Sequence, residues 1–149
     1  MIYISSDHLG FKYKKEIIEK LLSKGYKVED LGPNNDKFVD FPGYAANVAK
    51  AVSKDPNARG ILLSGTGQGM CIVANKFKNI YAGLVYNETL AEKARMENNT
   101  NVLCLPTEFM SLDSAVRTIF VWLSASFSGA EASVRHLKTV KEIEKDGYK

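Results

Sequence analysis

Two short segments carry the residue types best suited to chemistry. Ser6-Asp7-His8-Leu9-Gly10 sets a carboxylate and an imidazole side by side. Ser64-Gly65-Thr66-Gly67-Gln68-Gly69 sets three glycines in five residues between two hydroxyl-bearing positions and a helix. Glycines let the backbone approach a ligand closely, and N–H groups at a helix start favour an anion. A phosphate or a developing oxyanion suits such a loop. It is not a nucleoside-triphosphate loop, because no Gly-Lys-Ser/Thr follows, and its G-x-G-x-G spacing is not the dinucleotide fingerprint. Each segment alone also has a plainer reading: a glycine-rich turn, and an Asp–His cap or structural hydrogen bond.

The elements around these segments alternate strand and helix. Ile2 to Ser6 reads as a strand, and residues 10–24 as a helix with Ile17, Ile18, Leu21 and Leu22 on one face, stopped at Gly25. Tyr26 to Leu31 reads as a second strand, and Pro42 opens a helix that runs through Val52. Gly60-Ile61-Leu62-Leu63 is a continuous apolar run, as a central parallel strand buried on both faces requires. A third helix begins near Met70, and Ile80 to Tyr86 reads as strand four. Asn87 is placed to cap a helix over 88–97, and Val102 to Leu105 reads as strand five, stopped by Pro106. Residues 111–124 follow helical spacing through Leu112, Ala115, Val116, Ile119, Phe120 and Leu123, and a last helix covers about 130–146. Five strands alternating with helices predict a three-layer αβα domain with a doubly wound parallel sheet. Ligands of such sheets bind beyond the carboxyl ends of the strands, where the winding reverses. Both chemistry-bearing segments fall at such ends, after strands one and three.

The whole chain has 149 residues, 45% of them hydrophobic and 25% charged, which fits one globular domain over 1–149 and excludes a disordered or disulfide-dense chain. A net charge of +3 is too small to predict nucleic-acid or membrane binding. Two cysteines, Cys71 and Cys104, with two histidines and no paired-ligand motif, predict a reduced protein with no metal site and no cofactor. The opening Met1-Ile2-Tyr3-Ile4 has no signal-peptide pattern, and no apolar run approaches a membrane span, so the expected location is cytoplasmic.

Several motifs in order give a more specific reading. Ser6-Asp7-His8-Leu9-Gly10-Phe11 resembles the opening CDH-x-G-F motif of the ribose-5-phosphate isomerase B family. Gly60 to Met70, followed by Ala74-Asn75-Lys76, resembles its GILICGTGxG…AANK segment. Asp40-Phe41-Pro42-Gly43-Tyr44-Ala45 is similar to its D-[YF]-P-x-[YF]-A, and Asn98-Asn99-Thr100-Asn101-Val102 to the stretch that follows the family's His. The family also includes the subunits of galactose-6-phosphate isomerase. The resemblance implies strand order 2-1-3-5-4 and a homodimer or homotetramer, with each site completed by a neighbouring subunit that the helix over 130–146 reaches. It also implies an aldose–ketose isomerisation of a phosphosugar, ribose 5-phosphate or a relative, through an enediolate. The glycine-loop N–H groups would hold the enediolate oxygen. Implied catalytic positions are Ser64, Thr66 and Glu97; implied substrate-binding positions are Asp7, His8, Gly65, Gly67, Gly69, Asn98 and Arg135.

The sequence departs from the family where the reaction needs a base and a phosphate grip. The usual Cys is Ser64, and the Glu that some members place after the loop is Met70. A thiol with a pKa of about 8.5 supplies a thiolate near neutrality, whereas a serine needs an adjacent base. Cys71 is next in the chain, as a replacement base or a packing residue. The ring-opening His falls at Glu97, and two phosphate arginines fall at Glu108 and Ala132, leaving Arg135 and His8. Two readings stay open: an isomerase with altered groups, or a weakened homologue acting as a sugar-phosphate-binding or partner subunit, with a homologous hetero-subunit.

Overall fold

The computed structural model describes residues 1–147; Tyr148 and Lys149, the end of the expected domain, lie outside the described residues. Five strands, β1 (Ile2–Ser6), β2 (Val28–Asp30), β3 (Arg59–Ser64), β4 (Ala82–Leu84) and β5 (Val102–Pro106), form one parallel sheet in the order β2-β1-β3-β5-β4. Six helices accompany them: α1 (Phe11–Ser23), α2 (Phe41–Ser53), α3 (Gln68–Ala74), α4 (Glu88–Asn98), α5 (Leu112–Ser124) and α6 (Glu131–Asp146). The expected doubly wound α/β sheet and its strand order are what the molecule adopts.

The central strand explains the layering. Ile61 and Leu63 of β3 point into a core shared with Ile17 and Leu21 of α1, Ala91 of α4, and Ile119 and Trp122 of α5. Leu62 points the opposite way, into a core with Val48 and Val52 of α2 and Met70 and Ala74 of α3. Successive strand residues face opposite sides, so an apolar run is buried only when helices cover both faces. The winding reverses between β1 and β3, which opens the sheet's carboxyl edge there.

The edge strands are shorter than the sequence pattern implies. Strand β2 keeps three residues of the expected Tyr26–Leu31, and β4 keeps three of Ile80–Tyr86. Each has a neighbour on one side only. Asn75 covers the open side of β4: its Oδ1 accepts from Ala82 N–H at 2.8 Å and its Nδ2 donates to Ala82 O at 2.9 Å. That side chain satisfies the backbone groups a sixth strand would otherwise pair.

Helix α5 buries a face rotated from the expected one. Ala115, Thr118, Ile119 and Trp122 are buried, whereas Leu112, Val116, Phe120 and Leu123 are only partly covered. Trp122 Nε1 donates to Thr100 Oγ1 at 3.0 Å, so the indole can enter the core with its N–H satisfied. The N-cap expected at Asn87 forms, its Oδ1 accepting from Leu90 N–H at 2.7 Å, and Ser111 Oγ caps α5 in the same way, accepting from Ser114 N–H at 3.2 Å.

Lys14 is fully buried, which helical periodicity alone does not foretell. Its ammonium donates to Asp30 Oδ1 at 2.7 Å and to Pro33 O at 2.6 Å, and lies 5.4 Å from the Phe11 ring centre. One charge thus ties α1 to the turn after β2. Lys14→Met is expected to cost about 2 kcal/mol in urea unfolding, because the carbonyl and half-exposed carboxylate lose their donor. An unchanged midpoint would show that the ammonium contributes nothing net.

Candidate active site at the carboxyl ends of β1, β3 and β5

The glycines of both segments are required by contact. An alanine Cβ at Gly10 would lie 2.4 Å from the backbone oxygen of Leu63, so α1 starts directly against β3. Gly67 has a left-handed φ of 73°, and a Cβ there would lie 2.5 Å from Leu84 Cδ1. A Cβ at Gly69 would lie 2.4 Å from the Phe41 ring. Asp7 N–H donates to Leu63 O at 3.0 Å, and Asp7 Oδ1 accepts from Gly10 N–H at 2.8 Å. The Asp7 side chain therefore holds the turn and leaves its second oxygen to the cleft.

A cleft of about 170 Å³ opens between these ends, lined by Asp7, Ser64, Gly65, Thr66, Gly69 and Glu108, with Leu9, Phe41 and Met70 as its apolar walls. Part of the loop's hydrogen-bonding capacity is already spent. Ser64 Oγ accepts from Gly67 N–H at 3.1 Å, and Thr66 Oγ1 accepts from Gln68 N–H at 3.3 Å. Among the described residues, the N–H groups of Gly65, Thr66 and Gly69 meet no acceptor, so these loop amides are left to a ligand.

Glu108 enters the cleft from a distant part of the chain. Thr107 N–H and Oγ1 both donate to Ser64 O, at 2.9 and 3.2 Å, and Glu108 N–H donates to Gly65 O at 3.0 Å. These bonds fasten the end of β5 to the glycine loop. The Glu108 carboxylate then sits over Gly65, with Oε1 3.0 Å from where a Cβ would be. The cleft lining thus contains two carboxylates, Asp7 and Glu108, and no cationic side chain.

The other expected site residues lie elsewhere. His8 is outside the cleft lining; its ring stacks on Phe38 with centroids 5.0 Å apart, and its Nδ1 is buried without a partner among the described residues. Gly67 shapes the loop from behind. Glu97 and Asn98, at the carboxyl end of α4, line a separate cleft of about 470 Å³ against α6, together with Lys93 and His136. Glu97 makes a loose exposed pair with Lys93 at 3.8 Å. Arg135 is exposed on α6 and lines neither cleft. Helix α6 has no buried residue and carries the half-exposed Val134, Val140 and Ile143.

Cys71 also points away from the first cleft. Its Sγ contacts Ala82 O at 3.6 Å. A hydrogen bond from Cys104 lowers its pKa while burial opposes this, and burial raises the Cys104 thiol. The pair therefore packs between α3 and β5. Phe41 and Glu108 are the lining residues that spacing did not single out as binding groups. The D-F-P motif was the available signal for Phe41, and the family's phosphate-arginine position the signal for Glu108.

A glycine loop and carboxylates at the switch point of a doubly wound sheet define a small-molecule enzyme of the α/β class. Residues 2–143 match the ribose/galactose isomerase family model, and the chain belongs to that family. A probable ribose-5-phosphate isomerase B of Mycoplasma pneumoniae is 40% identical over 143 residues, covering 95% of this chain and 91% of the relative. The ribose-5-phosphate isomerase B of Escherichia coli is 37% identical over 142 residues, covering 95% and 93%. The crystal structure of ribose-5-phosphate isomerase B from Mycoplasma genitalium with bound ribulose-5-phosphate superposes with a TM-score of 0.94 at 40% identity, covering 97% and 96%. Among the described residues no helix is long and apolar enough to cross a membrane.

Proposed function

We propose that this chain isomerises a phosphorylated aldose to its ketose, with ribose 5-phosphate as the first substrate to test. The observation that carries this reading is the switch-point cleft holding Asp7, Ser64 and Thr66 in a chain so similar to a protein with bound ribulose-5-phosphate. In the reaction a base takes the C2 proton, the electron pair forms the C1=C2 double bond, and the carbonyl oxygen becomes an enediolate oxygen. A proton then moves from O2 to O1, and C1 is protonated as the C2 carbonyl forms. The free N–H groups of the glycine loop would hold the enediolate oxygen with Thr66 in support, and the second oxygen of Asp7 would accept from a sugar hydroxyl. Gly65, Gly67 and Gly69 keep the backbone close enough for both. Ser64 stands where the proton leaves C2.

The distribution of charge supports an oligomeric catalytic unit. Two carboxylates without a cation in the cleft lining repel a phosphate dianion. Glu97 and Asn98 lie before β5, and Glu108 after it; a five-residue strand separates such positions by roughly 16 Å. On this reading a second copy would supply Glu97, Asn98, Arg135 and His136 to each cleft, beside His8 of the first. The apolar stripe on α6 is the surface that would carry them across.

The test is a coupled isomerase assay of the purified chain with four- to six-carbon phosphosugars, alongside its mass in solution. Turnover of ribose 5-phosphate by an oligomer supports the reading. A partner-subunit role is favoured by Ser64, whose oxygen is held by Gly67 N–H. That role predicts no turnover alone and turnover after addition of a Cys-bearing homologue.

Glu108 supplies a second test. In Glu108→Gln, KM for ribose 5-phosphate should fall about fivefold, because a repulsive charge near the phosphosugar is gone. The gain should shrink at high salt, where exposed charges are screened. An unchanged KM would place the phosphate out of reach of this carboxylate.

A further inference from the structure

At the opposite end of the sheet, a pocket of about 440 Å³ opens among the amino ends of β3, β4 and β5, the end of α4 and one face of α6. Arg59 opens β3, Tyr81 and Asn101 precede β4 and β5, Arg95 comes from α4, and Lys141 from α6. No carboxylate belongs to its lining. Ser64 ends the six-residue strand that Arg59 begins, so the pocket lies roughly 17 Å from the cleft at the carboxyl ends.

The two arginines are held in place but not neutralised. Arg59 Nη1 donates to Ala58 O at 2.7 Å and to Pro56 O at 3.3 Å. Arg95 Nη1 donates to Asn99 Oδ1 at 2.7 Å and to Thr100 O at 2.9 Å. A guanidinium has five N–H donors. Among the described residues, Nε and Nη2 of both arginines meet no acceptor, and neither arginine has an ion pair within bridging distance. Burial, and then the charge of Arg59, pull the Arg95 guanidinium down to about 10. Burial also lowers Arg59, against the pull of Asp55. Two acids lie outside the lining but bear on it. Asp55, whose Oδ1 accepts from Asn57 N–H at 2.9 Å, acts on Arg59. Burial, and then Glu144, whose Oε1 accepts from Asn79 N–H at 2.7 Å, raise the pKa of the Tyr81 hydroxyl.

A separate feature of the same pocket points the same way. The hydroxyl of Tyr81 is buried and has no hydrogen-bond partner among the described residues. Buried polar groups are nearly always satisfied, so a stranded donor beside two half-buried cations marks a place for an acceptor. Two like charges brought together at partial burial, with no carboxylate at bridging distance, are stabilised by an anion that several donors can share.

We infer that this pocket is a second, non-catalytic anion site for the phosphoryl group of a small molecule. Arg59 and Arg95 present their open N–H edges to the phosphoryl oxygens, Lys141 adds a mobile ammonium, and Tyr81 donates its hydroxyl. The pocket has room beyond a bare phosphate, so the ligand is inorganic phosphate or a phosphate monoester. None of the pocket's residues lines the switch-point cleft; Tyr81 alone is shared with the cleft under α6.

The experiment is calorimetric titration of the full chain with inorganic phosphate and with adenosine 5′-monophosphate, using acetate as a control. Saturable binding of either phosphate, with acetate inert, is the expected result. Equal affinity for the two probes identifies free phosphate as sufficient, and tighter binding of the monoester identifies a phosphorylated molecule. Arg59→Gln should weaken binding about tenfold, and Tyr81→Phe and Lys141→Gln about threefold each. Lys141 is exposed on α6, so its variant tests the site without loading the fold. Absence of saturable binding, or binding undiminished in both Arg59→Gln and Lys141→Gln, overturns the inference.

Discussion

Gly10→Ala is expected to lose more than about 3 kcal/mol of stability in urea unfolding, and with it the ordered cleft. The added methyl would lie 2.4 Å from Leu63 O and 2.7 Å from Leu63 C. Both are backbone atoms of the central strand, so no side chain can turn aside to make room. Relief requires α1 to move off β3, and that breaks the Gly10 N–H to Asp7 Oδ1 bond of 2.8 Å, which fixes the Asp7 carboxylate. Chemical denaturation and turnover should therefore fall together. Gly43→Ala is the matched control: nothing lies within 4 Å of its Cβ position, and its helical site tolerates alanine. If Gly10→Ala and Gly43→Ala had equal stability, the close approach of α1 to β3 would be disproved.

Ser64→Cys is expected to raise turnover of ribose 5-phosphate by at least about tenfold, within the isomerase reading. Ser64 is 6% exposed and its oxygen already accepts from Gly67 N–H at 3.1 Å. A hydroxyl there stays protonated throughout the working range. A thiol with an ordinary pKa of about 8.5 ionises, and the same N–H stabilises its thiolate. The sign of the pH effect follows. Raising pH increases the thiolate fraction, so the gain over the parent protein should grow upward from about pH 6 and level off above the thiol's own pKa. The measurement is a pH–rate profile of both proteins on the same substrate. A rising limb in Ser64→Cys that the parent lacks is the expected signature. Equal rates at every pH would assign the deficit to the missing phosphate and ring-opening groups, or to the need for a different subunit.

Local pattern carried much of the fold. The apolar run Gly60 to Leu63 announced a strand covered on both faces, and Ile61, Leu62 and Leu63 are all fully buried. Asn87 announced its helix start because a cap acts within three residues. The edge strands were legible only in place and not in length. Their pairing stops where the one neighbouring strand stops, and side chains such as Asn75 finish the ladder. The buried face of α5 was displaced for a similar reason: Trp122 enters the core because Thr100, from the loop before β5, receives its N–H.

Only part of the candidate site could be read in the same way. Asp7 and the 64–69 loop lie at adjacent strand ends, so alternation of strand and helix sufficed to bring them together. The remaining residues named from the family motifs fall into separate regions of the chain's surface. Asn98 and Glu97 face a cleft under α6, and Arg135 faces neither cleft.

By itself, the sequence determined the α/β winding, the two glycine-shaped turns and the absence of a cysteine at position 64. These depend on interactions within a few residues, or on the rule that parallel strands need covering helices. Tertiary structure alone decided that Glu108 lies over Gly65, that Lys14 is buried on Asp30 and Pro33, and that Arg59 and Arg95 share a pocket with no carboxylate in its lining. Each of those contacts joins segments far apart in the chain, set side by side by strand register and helix packing. No local spacing encodes such a distance, so charge and burial at these positions become readable only once the sheet is assembled.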